Sequence, residues 1–256
     1  MQEPKKALGI IPARYASTRF PGKPLVDIAG KTMIQRVYEQ AAQAVSLGLV
    51  VVATDDERIA DHVWAFGGAA ELTRSDHPSG TDRCAEVAAR YHDFSVVVNI
   101  QGDEPFLDPR QIDLVAAPLF SGAAHLTTLA IEIQDPHMVQ NPNVVKVVFE
   151  TGGKALYFSR SPIPYVRGGS VEDGIRRAIF FRHIGLYGFR TETLVELTKL
   201  APSRLELAES LEQLRWLENG FSIQVQLTDR ETIGIDTPED LEAALAFLRA
   251  NPDSGF

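Results

Sequence analysis

The strongest constraint on the fold is an alternation of short β-rich runs with helical patterns through the first half of the chain. Ala7–Ile11, Leu49–Thr54 and Ser95–Ile100 are apolar enough to read as strands buried on both faces. Helical patterns fall between them, near Met33–Ala44, Asp56–Phe66 and Asp82–Tyr91. Asp108, Pro109 and Gln111 supply an N-cap, a first-turn proline and a capping-box partner for a helix running towards Leu119. Strands that alternate with helices in this way pair in parallel, so the expected class is α/β with a mostly parallel central sheet.

From Leu126 to Phe189 the pattern changes. Leu126–Ile133, Val144–Phe149, Ala155–Ser159 and His183–Phe189 read as strands, separated by the polar, glycine-bearing stretch Arg167–Arg177. The expectation is one domain over residues 1–256, with a β-rich lobe inserted within 120–190. Helices return at Thr191–Lys199 and Glu209–Asn219, then a strand at Ile223–Leu227, a short strand at Thr232–Ile235, and a last helix announced by Thr237-Pro238-Glu239-Asp240.

In such sheets ligands bind beyond the carboxyl ends of the strands. That directs attention to Pro12–Pro24, Thr54–Glu57, Gln101–Asp108 and Ile235–Pro238. Charge singles out the first of these loops. The chain carries a net charge of −9, yet Pro4–Val26 holds Lys5, Lys6, Arg14, Arg19 and Lys23 without an acid, a local +5 against −14 elsewhere. An acidic surface argues against nucleic-acid binding, and the basic island marks a local anion site. Two familiar phosphate motifs are excluded. There is no Gly-x-Gly-x-x-Gly, and Gly30-Lys31-Thr32 is half a Walker A loop, with Leu25 where its first glycine belongs. Arg14, Arg19 and Lys23, with Ser17, Thr18 and Gly22, supply instead the forked and point cations that suit a triphosphate, the plain alternative being a solvated basic loop.

Asp103, in Gln101-Gly102-Asp103-Glu104-Pro105 after a strand, and Asp236, before the last helix, are carboxylates from separate strand ends able to share a hard divalent cation such as Mg²⁺. Each also has a plain structural reading, as a turn residue or as a partner of a helix dipole. Thr73–Arg83 reads either as a base-reading loop or as a surface turn. His183 and Tyr187 share a strand face if the strand is regular. Arg160, Glu209, Glu212 and Gln213 are further polar candidates, with Glu209 and Gln213 also readable as a solvated pair four apart on one helix. Cys84 is the single cysteine, which excludes an intrachain disulfide, and no apolar run reaches the ~18 residues of a membrane span, so a cytoplasmic protein is expected.

Seven ordered motifs now converge. Ile10-Ile11-Pro12-Ala13-Arg14-Tyr15-Ala16-Ser17-Thr18-Arg19-Phe20-Pro21-Gly22-Lys23-Pro24-Leu25, Ala53-Thr54-Asp55, Ser79-Gly80-Thr81, Asn99-Ile100-Gln101-Gly102-Asp103-Glu104-Pro105, Tyr157-Phe158-Ser159-Arg160, Arg182-His183-Ile184-Gly185-Leu186-Tyr187 and Leu211-Glu212-Gln213-Leu214-Arg215 closely resemble the 3-deoxy-manno-octulosonate cytidylyltransferases. The resemblance implies a Rossmann-like nucleotidyltransferase fold whose β-rich lobe dimerises. It also implies a reaction of CTP with the sugar acid Kdo, giving CMP-Kdo and pyrophosphate for lipopolysaccharide synthesis. On it, Arg14, Arg19 and Lys23 hold the triphosphate, and Ala13, Thr73, Arg74, Ser79, Gly80 and Gln101 line the nucleotide. Asp103 and Asp236 hold Mg²⁺, while Arg160, His183, Tyr187, Glu209, Glu212 and Gln213 form the sugar-acid pocket. Val166–Ile179 falls in a stretch that varies in the family and is expected to be a mobile loop. A partner acid other than Kdo, such as 8-amino-Kdo or a sialic acid, fits the same nucleotide half, and a non-catalytic nucleotide-binding module is the rival of another class.

Overall fold

A computed structural model gives the structure of the chain and describes residues 6–16, 20–232 and 234–250, apart from the side chains of Phe247 and Ala250. The first half follows the expected alternation. Strand β1 (Ala7–Ala13) leads to a single 3₁₀ turn at Lys23–Leu25, a two-residue hairpin of β2 (Asp27–Ile28) and β3 (Lys31–Thr32), and helix α1 (Met33–Ala41). Then come β4 (Leu47–Thr54), α2 (Glu57–Ala65), β5 (Ala69–Leu72), α3 (Gly80–Ala88), β6 (Val96–Asn99) and α4 (Pro109–Ser121). The second half runs β7 (Leu126–Glu132), α5 (Pro136–Gln140), β8 (Lys146–Phe149), β9 (Ala155–Ser159), α6 (Val171–Arg176) and β10 (Phe181–Arg190). It closes with α7 (Thr191–Leu197), α8 (Arg204–Glu209), α9 (Gln213–Glu218), β11 (Gln224–Leu227) and α10 (Pro238–Ala250).

The central sheet has the order β11-β7-β10-β6-β1-β4-β5. β1 pairs in parallel with β4 and β6, β4 with β5, and β7 with β11, while β10 runs antiparallel between β6 and β7. The β8–β9 pair branches from β10 through β8. β7 and β10 therefore belong to the central sheet, and the branch itself is this one hairpin.

Alternation along the strands decides which helix covers which face. Ile11, Val50, Val52 and Val98 face α1, α2 and α4 through Ile34, Val37, Ile59, Val63, Ile112 and Val115. Leu8, Ile10, Val51 and Val97 point the other way, towards Val87 of α3, Leu194 of α7, and Leu214 and Trp216 of α9. Each fully buried aliphatic side chain contributes roughly 1.5–3 kcal/mol, so both helical layers stabilise the sheet they cover. Among the described residues no helix is long and apolar enough to cross a membrane.

Three expectations are corrected. The helix read over Glu209–Asn219 is two helices, broken at Ser210, which sits at φ 51°, ψ 50° in the left-handed region. The Glu209 carboxylate turns there to accept from Ser159 Oγ at 2.6 Å and Arg160 N–H at 2.9 Å, so Glu209 and Gln213 are no pair on one helix. The loop expected at Val166–Ile179 contains α6, opened by a capping box of Ser170 and Asp173 and packed through Val171 and Ile175 near Val139 and Phe180. The short strand expected at Thr232–Ile235 is absent at its described residues, Ile233 lying outside them. The Ile235 N–H leaves the sheet and donates to the Asp103 carbonyl at 2.9 Å.

Candidate active site

The carboxyl ends of β1 and β6 open onto a cavity of about 460 Å³. Ala13, the buried last residue of β1, Arg14 and Lys23 line it from one side, and Gln101, Gly102 and Asp103 from another. Ser79 and Gly80, at the start of α3, complete the wall. The walls come close because of glycine. A Cβ on Gly102 would lie 3.1 Å from the Pro12 carbonyl, and one on Gly80 would lie 3.3 Å from Pro12 Cγ. Ser79 caps α3, accepting from the Asp82 N–H at 3.2 Å, so the positive end of a nine-residue helix faces the cavity. Such an end favours phosphate.

Lys23 sits where the two predicted metal ligands meet. Its Nζ donates to Asp103 Oδ2 at 2.8 Å and to Asp236 Oδ1 at 3.0 Å. Burial works against its charge, but Asp103 and then Asp236 outweigh this and raise its pKa. The Ile235–Asp103 backbone bond carries Asp236 to this place, and a box of Thr237 and Asp240 starts α10 directly behind it. The two carboxylates thus converge on one cation. Carboxylate oxygens are donors of the kind that a hard divalent cation such as Mg²⁺ takes, and the described residues hold no group of three or more His, Cys, Asp or Glu that could hold a metal ion. Next to them, burial and then the Asp103 charge push the Glu104 carboxyl up to about 7.

The remaining nucleotide candidates divide, some lining the cavity and others lying off it. Arg14 donates through Nη2 to the His77 carbonyl, which ties the cationic loop to the Thr73–Gly80 segment. Arg74 is exposed and forks onto Asp76 at 2.9 and 2.7 Å, so it does not line the cavity. Thr73 does not line it either; its N–H donates to Thr54 O at 2.8 Å and its hydroxyl accepts from Arg83. Gln101 donates from Nε2 to Gly185 O at 2.8 Å, joining the cavity to β10. Arg19 lies outside the described residues.

The sugar-acid candidates lie outside the first cavity, with Arg160 bonded to Glu209 and His183 packed on Tyr187. The pairing of β10 with β7 skips two residues between Ile184 and Tyr187, which keeps His183 and Tyr187 on one face in a strand that is not regular. Their ring centroids are 5.4 Å apart, and Tyr187 also packs edge-on to Trp216 at 5.1 Å. Burial and then the Arg182 charge press the His183 pKa down to about 3, so its ring is neutral and holds Thr128 Oγ1 at 3.0 Å. Arg160 spends its guanidinium on the carbonyls of Glu209, Pro142 and Ser210. Gln213 is buried. Glu212 accepts from Thr81 Oγ1 at 2.6 Å, linking this cluster to the α3 start, and burial lifts its pKa despite that bond. None of the six lines the first cavity.

Arg83 is the residue that motif reading passed over. It is fully buried on α3, lines the cavity, donates to the Thr73 hydroxyl and lies 3.1 Å from Asp55 Oδ1. Its Nε has no hydrogen-bond partner among the described residues. Burial lowers its pKa, with Asp55 opposing. The available signal was positional, because Arg83 and the core residue Val87 are four apart on one helix face.

Known proteins are similar to the chain over nearly its whole length. The cytidylyltransferase family model matches residues 8–230. The 3-deoxy-manno-octulosonate cytidylyltransferase of Bacteroides thetaiotaomicron is 55% identical over 248 residues, covering 95% of this chain and 98% of the relative. The protein of the same name from Parabacteroides distasonis is 53% identical over 248 residues, covering 95% and 98%. A solved CMP:2-keto-3-deoxy-manno-octonic acid synthetase, complexed with CTP, superposes with a TM-score of 0.89 at 43% identity, over 96% of this chain and 100% of that one. A cavity at the strand ends, a cationic loop and paired carboxylates thus occur in a chain that belongs to the cytidylyltransferase family, among the 3-deoxy-manno-octulosonate cytidylyltransferases.

Proposed function

We propose that the chain joins 3-deoxy-manno-octulosonate to the cytidylyl group of CTP and releases pyrophosphate, with Mg²⁺ held by Asp103 and Asp236. The observation that carries this reading is the convergence of those carboxylates on the Lys23 ammonium, 2.8 and 3.0 Å away, at the edge of a cavity walled by Arg14, Ser79 and Gly80. The likeness to relatives bearing that name supports the choice of nucleotide and acid.

In this reading Arg14, Arg19, Lys23 and the start of α3 hold the triphosphate and fix the α-phosphorus. Ala13 and Gln101 line the rest of the nucleotide site, with Thr73 and Arg74 outside its wall. The sugar acid lies against His183, Tyr187, Arg160, Glu209, Glu212 and Gln213. Its hydroxyl oxygen bonds to the α-phosphorus as the bond to the leaving pyrophosphate breaks, and the hydroxyl proton passes to solvent. The cationic groups stabilise the charge that moves onto pyrophosphate, and neutral His183 places a polar edge beside the acceptor without adding charge. When bound, Mg²⁺ supplies further neutralisation of the phosphate oxygens.

The working unit is a homodimer joined through β9 and the loop after it, where Leu156 of β9 is 60% exposed and Tyr165 of the loop 88%. The reaction runs in the cytoplasm and feeds lipopolysaccharide assembly. Pyrophosphate release with CTP, Mg²⁺ and a panel of Kdo, 8-amino-Kdo and a sialic acid tests the proposal. Release is expected to be fastest with Kdo and to stop with a chelator. CTP binding with no release from any acid would leave a nucleotide-binding module instead.

A further inference from the structure

The Lys23 ammonium stands where a divalent cation would bind. Its contacts at 2.8 and 3.0 Å take one oxygen from each carboxylate, and its side chain is 14% exposed against 32% for Asp103 and 47% for Asp236. A dication needs those oxygens at about 2.0–2.6 Å and is repelled by an ammonium already between them. The Lys23 backbone is held in place. Gly22 turns at φ 72°, Leu25 N–H donates to Gly22 O at 2.9 Å, and Pro24 is buried. The ammonium at the end of four methylenes is the part free to swing, and the side chain already lines the same cavity as Arg14 and Ser79.

We propose that Lys23 is a latch on the metal site. Without nucleotide it holds Asp103 and Asp236 together and shuts out a divalent cation. A triphosphate in the cavity offers its ammonium other oxygens, so that the metal enters with the nucleotide or after it. This rests on the reading of Asp103 and Asp236 as metal ligands. By linkage, the factor by which nucleotide tightens metal equals the factor by which metal tightens nucleotide. A lysine that only grips phosphate would, when removed, weaken CTP binding and leave nucleotide-free metal binding alone. A latch makes the latter stronger.

Mn²⁺ serves as the probe, with free Mn²⁺ counted by electron paramagnetic resonance on the full chain. Lys23→Met is expected to bind Mn²⁺ without nucleotide at least tenfold more tightly than the wild type, and to lose that gain when Asp103→Asn is added. Arg14→Gln removes a cation from the same cavity that touches neither carboxylate; its nucleotide-free affinity should stay within twofold of wild type, which separates the latch from bulk charge. Lys23→Gln replaces Lys23→Met if the latter does not fold. An affinity of the Lys23 variant within threefold of wild type overturns the latch, and so does a gain of equal size in Arg14→Gln. If Asp103→Asn leaves Mn²⁺ binding in the presence of CTP unchanged, the metal assignment fails and the latch with it.

Discussion

A single buried guanidinium ties three segments of the nucleotide cavity together. Arg83 reaches Thr73 at the end of β5 and Asp55 at the end of β4 from its own place on α3. Removing it strands the Asp55 carboxylate and frees the start of the Thr73–Gly80 segment. A fully buried pair broken in this way costs ~3–5 kcal/mol, and the 23% exposure of Asp55 reduces that to about 2 kcal/mol here. Arg83→Met should lower stability to denaturant by that amount and raise KM for CTP more than it lowers kcat, because it loosens the wall and touches no reacting atom. Equal losses in both constants would assign Arg83 to the chemistry. His183 makes a prediction in pH. Its folded pKa, about 3, lies below its unfolded value of about 6.5, so between these values the unfolded chain takes up a proton that the folded chain refuses. Stability therefore falls as pH drops below about 6.5, by no more than about 1.4 kcal/mol per pH unit from this group. Melting temperatures of His183→Gln should vary less with pH over that window than those of the wild type, and parallel curves would show that the imidazole is not the source.

At the scale of elements, β10 leaves no room for a side chain at Gly188. A Cβ on Gly188 would lie 2.5 Å from Thr127 Oγ1, 2.6 Å from Val115 Cγ1 and 2.7 Å from Leu119 Cδ1, so α4 rests directly on the strand backbone. Gly188→Ala should cost about 1–3 kcal/mol as overpacking, and Val115→Ala in the same chain should return part of it, a coupling that a double-mutant cycle in urea measures. The same close packing explains which elements could be read from the sequence. β1, β4 and β6 are buried on both faces, so their apolar runs announce them without help from neighbours. α6 has six residues, too few to show helical periodicity, and depends on the Ser170–Asp173 box. The break at Ser210 is imposed from the end of β9, where Ser159 and the following Arg160 hold the Glu209 carboxylate, a tertiary cause with no local trace. At the site, Lys23, Ser79, Gly80 and Asp103 were legible because loop position and chemistry coincide. Arg83 was not, since a cation on a helix reads as a solvated one until its burial is known.

Across the whole molecule, chain order and sheet order disagree. β6, β1, β4 and β5 form a parallel block whose members lie within residues 7–99, each joined to the next through a nearby helix. β7 follows β6 in sequence but does not pair with it, because β10, some 50 residues later, occupies the place between them. β11 then adds to the outer edge of β7. Pairings that close long loops cost more entropy before any contact repays it, which makes them slow. The arrangement sets a timetable for refolding. Amides of β1 and β4 should gain protection in pulse-labelled hydrogen exchange before those of β7 and β10, whereas simultaneous protection would mean that the sheet assembles in one event. During the interval the β6 edge that awaits β10 is open, and a β10 strand from a neighbouring chain would fit it as well as the chain's own. The inserted strand thus makes dilution a condition of clean refolding, and exchanged dimers are the expected product when refolding is crowded.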